Sequence, residues 1–296
     1  MADLHTTLVH FDILYDQPVR LSPLVQRITA NNPSPFTGAG TNTYLVGTDR
    51  FTVIDPGPAE PEHIDAILAA TGGKIDYVFA THAHEDHSPA ALPLVQATGA
   101  QMMGLQVVSD SESLDHTFTP ARSLQEGEVV SVGECDLRVI ATPGHLHQHL
   151  SFLLPQEQLL FAGDHIMQGA SVVIIPEHGG CMVDYLDSLM KLKGIGIQHL
   201  APAHGHLLSD PDRVLQELHD HRLARERMIV DALRTLKKAT TAQLAPLVYP
   251  DVAGDLVHGT YMALAAHLHK LVHDGVASRH WEKHWLLGEV VWEWVE

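Results

Sequence analysis

The chain has 296 residues, 45% of them hydrophobic and 18% charged, which is enough for a large buried core and excludes a disordered chain. Its formal net charge of −18 argues against general attraction to polyanions. No apolar run approaches the ~18 residues of a membrane span, the first ten residues lack the pattern of a signal peptide, and two cysteines cannot make a disulfide framework. A cytoplasmic protein that does not enter a membrane is expected. The acidity is uneven: residues 1–205 hold 8 Lys+Arg against 23 Asp+Glu, whereas residues 206–296 hold 10 against 13. Histidine is abundant, 23 residues, so any one histidine counts only where its context is right.

The first two-thirds of the sequence alternates short strands with helices. Residues 25–29, 43–46 and 51–54 read as strands, separated by Asn31-Asn32-Pro33 and Gly38-Ala39-Gly40 and closed by Asp55-Pro56-Gly57. Residues 61–70 read as a helix with Pro61 in its first turn, and residues 75–80 as the next strand. A helix over 89–98 is stopped by Gly99. Strands follow at 129–132, 137–141, 150–154 and 158–161, then a helix over 184–192 and a strand at 199–203. Many strands among few helices imply two sheets flanked by helices. A break falls at Ser209-Asp210-Pro211-Asp212, where Asp210 and Pro211 make a helix start. Beyond it the pattern predicts helices over 211–238, 241–248 and 255–273, with Gly275 ending the last, and a hairpin over 276–295. That is the order of a winged-helix unit. The expected domains are therefore 1–209 and 210–296.

The segment Thr81-His82-Ala83-His84-Glu85-Asp86-His87 follows directly on the 75–80 strand. Loops at strand ends are where α/β folds carry their chemistry, and imidazole with carboxylate suits zinc and its first-row neighbours. Three later positions share this setting. His145 closes Ala141-Thr142-Pro143-Gly144-His145, Asp164 closes Phe161-Ala162-Gly163-Asp164, and His204 lies in Ala201-Pro202-Ala203-His204-Gly205. Each follows a predicted strand among small residues that let the backbone come close.

With these residues in place, the chain resembles the metallo-β-lactamase superfamily. The HxHxDH signature matches His82, His84, Asp86 and His87, and the family's later ligands match His145, Asp164 and His204. The resemblance implies an αββα sandwich with its site at one edge of the two sheets. It implies that His82, His84 and His145 hold one divalent metal ion, that Asp86, His87 and His204 hold a second, and that Asp164 bridges them. Zinc is the first expectation, with iron and manganese open. Two such ions share a water and lower its pKa, which gives a hydroxide able to attack a substrate, with Asp86 orienting or deprotonating it. Within the superfamily, residues 40–47, 54–57, 142–151 and 184–189 look like the β-lactamase-like protein 2 group, which includes an endoribonuclease acting on single-stranded RNA. His149 matches a position of that group, either supporting the ligands or donating a proton to the leaving group. Ala83, Glu85 and Pro89 depart from the residues common around the signature.

Two enzymatic readings follow. One is a dinuclear hydrolase of a small ester, thioester or lactone, whose partner is a small molecule. The alternative is a metal-dependent endoribonuclease. A non-catalytic metal-binding protein is the third reading, disfavoured because seven ligands on two ions leave room for water. The predicted helix over 255–273 carries one lysine, Lys270, and no arginine, unlike a nucleic-acid reader, so the C-terminal unit is expected to pack or dimerise. The basic residues Arg213, Arg222, Arg225, Arg227, Arg234, Lys237 and Lys238 are expected to form a solvated face balanced by acidic neighbours. Cys181 is expected to be structural, and Asn42 and Tyr44 to approach the pocket.

Overall fold

The computed structural model describes residues 8–9, 12–250, 252, 257–283 and 288–295. By their contacts the residues form two units. The first comprises residues 1–142, 148–172 and 192–214, and the second residues 143–147, 173–191 and 215–296.

Strands dominate the first unit. In chain order they are β1 (Leu8–Val9), β2 (Val19–Arg20), β3 (Val25–Thr29), β4 (Asn42–Val46), β5 (Phe51–Ile54), β6 (Ile75–Phe79), β7 (Gln101–Met103), β8 (Val129–Val132), β9 (Cys135–Ala141), β10 (Leu150–Leu154), β11 (Leu159–Gly163), β12 (His199–Pro202) and β13 (Leu207–Ser209). One sheet has the order β2-β3-β4-β5-β6-β7, the other β1-β13-β12-β11-β10-β9-β8. Helix α1 (Pro61–Thr71) connects β5 to β6 and α2 (Ala91–Thr98) connects β6 to β7. Both strand pairs are parallel, as a helical crossover requires.

The strand period explains the layering. On β4, Tyr44 and Val46 join the core that also holds Phe79, Val139, Phe152 and Phe161, while Leu45 between them joins Ile67, Val78 and Leu94 in the core shared with α1 and α2. Every residue of β4, β5, β10 and β11 is buried. Burying a side chain such as Leu45 or Phe152 contributes ~1.5–3 kcal/mol each. Such strands are anchored on both faces, so their ends are fixed points from which ligand-bearing loops can project.

The second unit contains most of α3 (Met182–Leu192) and of the long α4 (Pro211–Leu236), then β14 (Lys238–Thr240), α5 (Thr241–Val248), α6 (Val257–His273), β15 (Ala277–Lys283) and β16 (Gly288–Trp294). Among the described residues its strands have the order β14-β16-β15. Ile229, Leu233, Leu244, Val248, Leu264, Leu268 and Trp292 form its core. The helix expected to reach residue 238 stops at Leu236. Lys237 turns left-handed with φ 64°, and the next three residues pair with β16 instead. Thr240 then caps α5 reciprocally with Gln243. The Trp292 indole N–H donates to Thr241 Oγ1 at 3.1 Å. Trp292 is thus core packing. The expected start of the 255–273 helix lies outside the described residues.

Candidate metal centre

The loops that leave β6, β11 and β12 carry six of the seven expected ligands within the first unit. They form one continuous cluster. His82 Nε2 lies 2.8 Å from His84 Nδ1, and the His82 and His87 rings are 4.1 Å apart. His87 Nε2 is 3.3 Å from Asp86 Oδ2 and 3.5 Å from Asp164 Oδ1. His204 Nε2 is 3.4 Å from Asp86 Oδ2 and 3.2 Å from Asp164 Oδ1. His82, His87 and Asp164 bring ligand atoms within 4.8 Å of one another, and so do Asp86, His87 and His204. The seventh expected ligand, His145, is carried by residues 143–147 of the second unit, where its Nδ1 lies 2.6 Å from the Val173 carbonyl oxygen.

The electrostatics of this cluster are those of a cation site. Burial opposes ionisation of His87, yet Asp86, Asp164 and Asp55 raise its pKa well above the ordinary imidazole value. Burial likewise opposes charge on His204, and Asp164 overrides it, raising the ring to about 9. Desolvation pushes the Asp164 carboxyl up, but His204 and His87 hold it well below the usual range. Asp86 behaves alike, with His87 the main opposing charge. His87 Nε2 is buried without a hydrogen bond of good geometry, facing two carboxylates. Imidazole nitrogens and carboxylate oxygens converging in this way fit divalent metal ions, which would replace the imidazole protons.

Outer partners set the ligand orientations. His87 Nδ1 donates to Asp55 Oδ2 at 3.2 Å, which turns Nε2 toward the cluster. Asp55 is itself buried, and it accepts from the Thr81 N–H at 2.7 Å and from the Thr81 hydroxyl at 2.9 Å. His204 Nδ1 donates to the Gly40 carbonyl at 3.3 Å. The Thr41 hydroxyl donates to Asp86 Oδ2 at 3.2 Å. Sequence reasoning did not assign these tasks to Asp55 or Thr41, although both stand in stretches that carried the family resemblance. Their only signal was position, one at a strand end and one beside a glycine turn.

Other expected residues take different places. Asn42 is fully buried and donates to the carbonyl oxygens of Pro202 and Gly205 at 3.1 and 2.9 Å. Tyr44 likewise donates to Pro202 O at 2.6 Å. Both brace the turn that presents His204, because their strand register directs them across to β12. His149 has no exposed surface; its Nδ1 meets Thr142 Oγ1 at 2.8 Å, and its Nε2 accepts from the Asp164 N–H at 3.2 Å. Glu85 is exposed. Cys181 is partly buried, which raises its thiol pKa, and its N–H donates to the Gly144 carbonyl at 2.8 Å. His147 is an exposed residue 3.4 Å from Asp184.

Gly163 makes the close approach possible. It has φ 53°, and a Cβ there would stand 2.5 Å from Thr81 Oγ1 and 2.7 Å from His149 Nε2. Both atoms belong to groups held by other hydrogen bonds, so neither can move freely. Gly163→Ala is expected to destabilise the protein by about 2–4 kcal/mol, from left-handed strain and overpacking together. Urea unfolding measures this; an unchanged midpoint would contradict the close-approach role.

The comparisons with known proteins agree with this geometry. A family model described as the metallo-beta-lactamase superfamily matches residues 36–243. The chain belongs to the metallo-β-lactamase superfamily. It is 31% identical over 264 residues to a beta-lactamase-like protein 2 homolog of Caenorhabditis elegans, covering 88% of each chain. It is 33% identical over 248 residues to an atrochrysone carboxyl ACP thioesterase of Aspergillus chevalieri, covering 81% of this chain and 75% of the relative. The fold matches a beta-lactamase domain protein from Burkholderia ambifaria with a TM-score of 0.80 and 19% identity, over 98% of this chain and 97% of that one. This superfamily member is an enzyme, a metal-dependent hydrolase with His/Asp clusters able to bind divalent ions. Among the described residues no helix is long and apolar enough to cross a membrane.

Proposed function

We propose that this enzyme is a dinuclear hydrolase of a small carbonyl substrate: a thioester first, an ester or lactone second. The convergence of His87 and His204 on the two carboxylates Asp86 and Asp164 carries this reading. In the proposed assignment His82, His84 and His145 hold one ion, Asp86, His87 and His204 the other, and Asp164 serves both. Zinc is the proposed metal. Bound ions of this kind act as Lewis acids and bring the pKa of a bound water toward neutrality. The protein's own groups then have separate tasks. Asp86, restrained by Thr41, orients the attacking water. His149 acts by position rather than as a proton donor, since its Nε2 accepts from the Asp164 main chain and the ring is shut off from solvent.

The name of the thioesterase relative supports the thioester reading. Charge supports it against RNA. Four of the arginines that could track a phosphate chain are engaged elsewhere. Arg213 pairs with Asp210, Arg222 is buried over Tyr185, Arg225 stacks on Tyr249 and donates to Val248 O, and Arg234 stacks on Trp294. We further propose that residues 210–296 form a winged-helix-like module that packs rather than reads nucleic acid. Two free cysteines, one of them buried, suit the proposed cytoplasmic setting.

A substrate panel tests this at low and high salt. Acyl thioesters or lactones are expected to turn over with kcat/KM nearly independent of ionic strength. Cleavage of single-stranded RNA that falls steeply as salt rises would overturn the carbonyl reading.

A further inference from the structure

A second polar cluster lies within the first unit, joined to the histidine loop through Asp55 and Gly57. His63, on α1, has no exposed surface. Its Nδ1 is 2.9 Å from Asp16 Oδ1, and its Nε2 is 2.9 Å from Thr43 Oγ1. Thr43 spends its own proton on the Asp55 carbonyl oxygen, at 2.7 Å. Its oxygen therefore accepts from His63 Nε2–H. Nδ1 faces the Asp16 carboxylate, which ties the ring to the 12–16 segment. Burial lowers the His63 pKa below the ordinary imidazole value, against the opposing pull of Asp16.

The cluster is joined to His87 by two routes. Asp55 receives the Thr43 hydroxyl on its carbonyl, and its carboxylate receives His87 Nδ1–H. Gly57 packs on the His63 ring, where a Cβ would come within 3.0 Å of Nε2, and the Gly57 N–H donates to the His87 carbonyl at 2.9 Å. Both aspartates sit in left-handed backbone, φ 53° at Asp16 and 50° at Asp55. Such conformations persist where the surroundings hold them, often beside functional sites. A leucine at position 63 could fill the same buried space, but it could not tie these two bent segments together.

We propose that Asp16 and His63 are positioning residues for the metal centre: they hold the 55–57 turn and, through it, the orientation of His87. The proposal rests on the metal-centre reading given above. Its distinguishing feature is that the effect appears in metal affinity and not only in folding stability.

The test compares wild type, Asp16→Ala, Asp16→Asn and His63→Gln. Zn2+ and Co2+ affinities are measured by competition with a chromophoric chelator, Co2+ ligand-field spectra are recorded, and metal-free samples are unfolded in urea. Asp16→Ala is expected to weaken metal binding by about 10-fold, the low end of the range for partners bonded directly to a ligand, because Asp16 acts through His63 and the 55–57 turn. Asp16→Asn still offers a donor to Nδ1 and is expected to recover most of that affinity and the wild-type spectrum. His63→Gln keeps an N–H toward Thr43 and is expected to fall between them. A lower urea midpoint with unchanged affinity and spectrum in the folded protein would overturn the proposal. Nitrogen-15 NMR of metal-free wild type is a test that needs no variant: His63 Nε2 found unprotonated would remove its hydrogen bond to Thr43 and overturn the proposal. Wild-type protein that binds no ion would overturn the metal-centre reading and this proposal together, whereas equal binding by wild type and Asp16→Ala would overturn this proposal alone.

Discussion

Asp164→Ala is expected to abolish turnover and to leave the protein short of metal. Asp164 is the one carboxylate common to the expected ligand sets, and its Oδ1 faces both His87 and His204 within 3.5 Å. Its removal leaves two buried imidazoles converging on Asp86 alone. Asp164, the largest charge offsetting burial around His204, is then gone and only Asp86 remains, so the His204 pKa should fall from its raised position of about 9. The loss of activity should exceed the ~10–100-fold typical of outer hydrogen-bond partners, since a ligand itself is gone. Elemental analysis checks the claim directly. An Asp164→Ala protein with wild-type metal stoichiometry would remove the assignment, whatever its activity.

The second large effect is expected at Asp55. Its carboxylate is buried and receives three donors: the Thr81 N–H, the Thr81 hydroxyl and His87 Nδ1–H. Asp55→Ala strands the Thr81 amide and the His87 ring nitrogen without partners. Each buried unmade hydrogen bond costs ~1–3 kcal/mol, so a loss of about 3–5 kcal/mol is expected. Asp55→Asn separates stability from chemistry. Asparagine keeps the shape and can still accept from the Thr81 N–H, but its amide would oppose the proton on His87 Nδ1. The ring is then driven to the wrong tautomer, with Nε2 protonated toward the cluster. Asp55→Asn should therefore fold nearly as well as wild type while binding metal ~10–100-fold more weakly. Equal metal affinity in a folded Asp55→Asn protein would show that Asp55 does not set the His87 tautomer.

The chemistry-bearing residues were more legible than their support. His82, His84, Asp86 and His87 announce themselves because four ligand-type side chains crowd one strand end. Asp164 and His204 could be found because each closes a strand among small residues. Asp55, Thr41 and His63 act through hydrogen bonds between segments far apart in sequence, and no local pattern encodes those partners. Asn42 and Tyr44 show the same limit from the other side. Strand register turns them to Pro202, so they reach the site through the turn that carries His204. Short strands escaped for a related reason. β13 and β14 are each three residues long, and they are strands because a neighbour pairs with them. The helical pattern of residues 211–238 extends to Leu236, where pairing with β16 outcompetes a final turn. The second unit also gathers residues 143–147 and 173–191, a non-contiguous assembly that no reading of successive segments could reveal.

Three strands of the first unit, β6, β11 and β12, end at one rim, and their loops supply ligands that lie as far apart in sequence as residues 82 and 204. An ion gripped there would act as a crosslink closing a loop of well over a hundred residues, one that a chelator can remove without any redox step. Such a fastener can form only after distant strands have reached their register, so it rewards the finished architecture and no earlier stage of assembly. Availability of the ion would then govern how long the native molecule lasts as well as how fast it works.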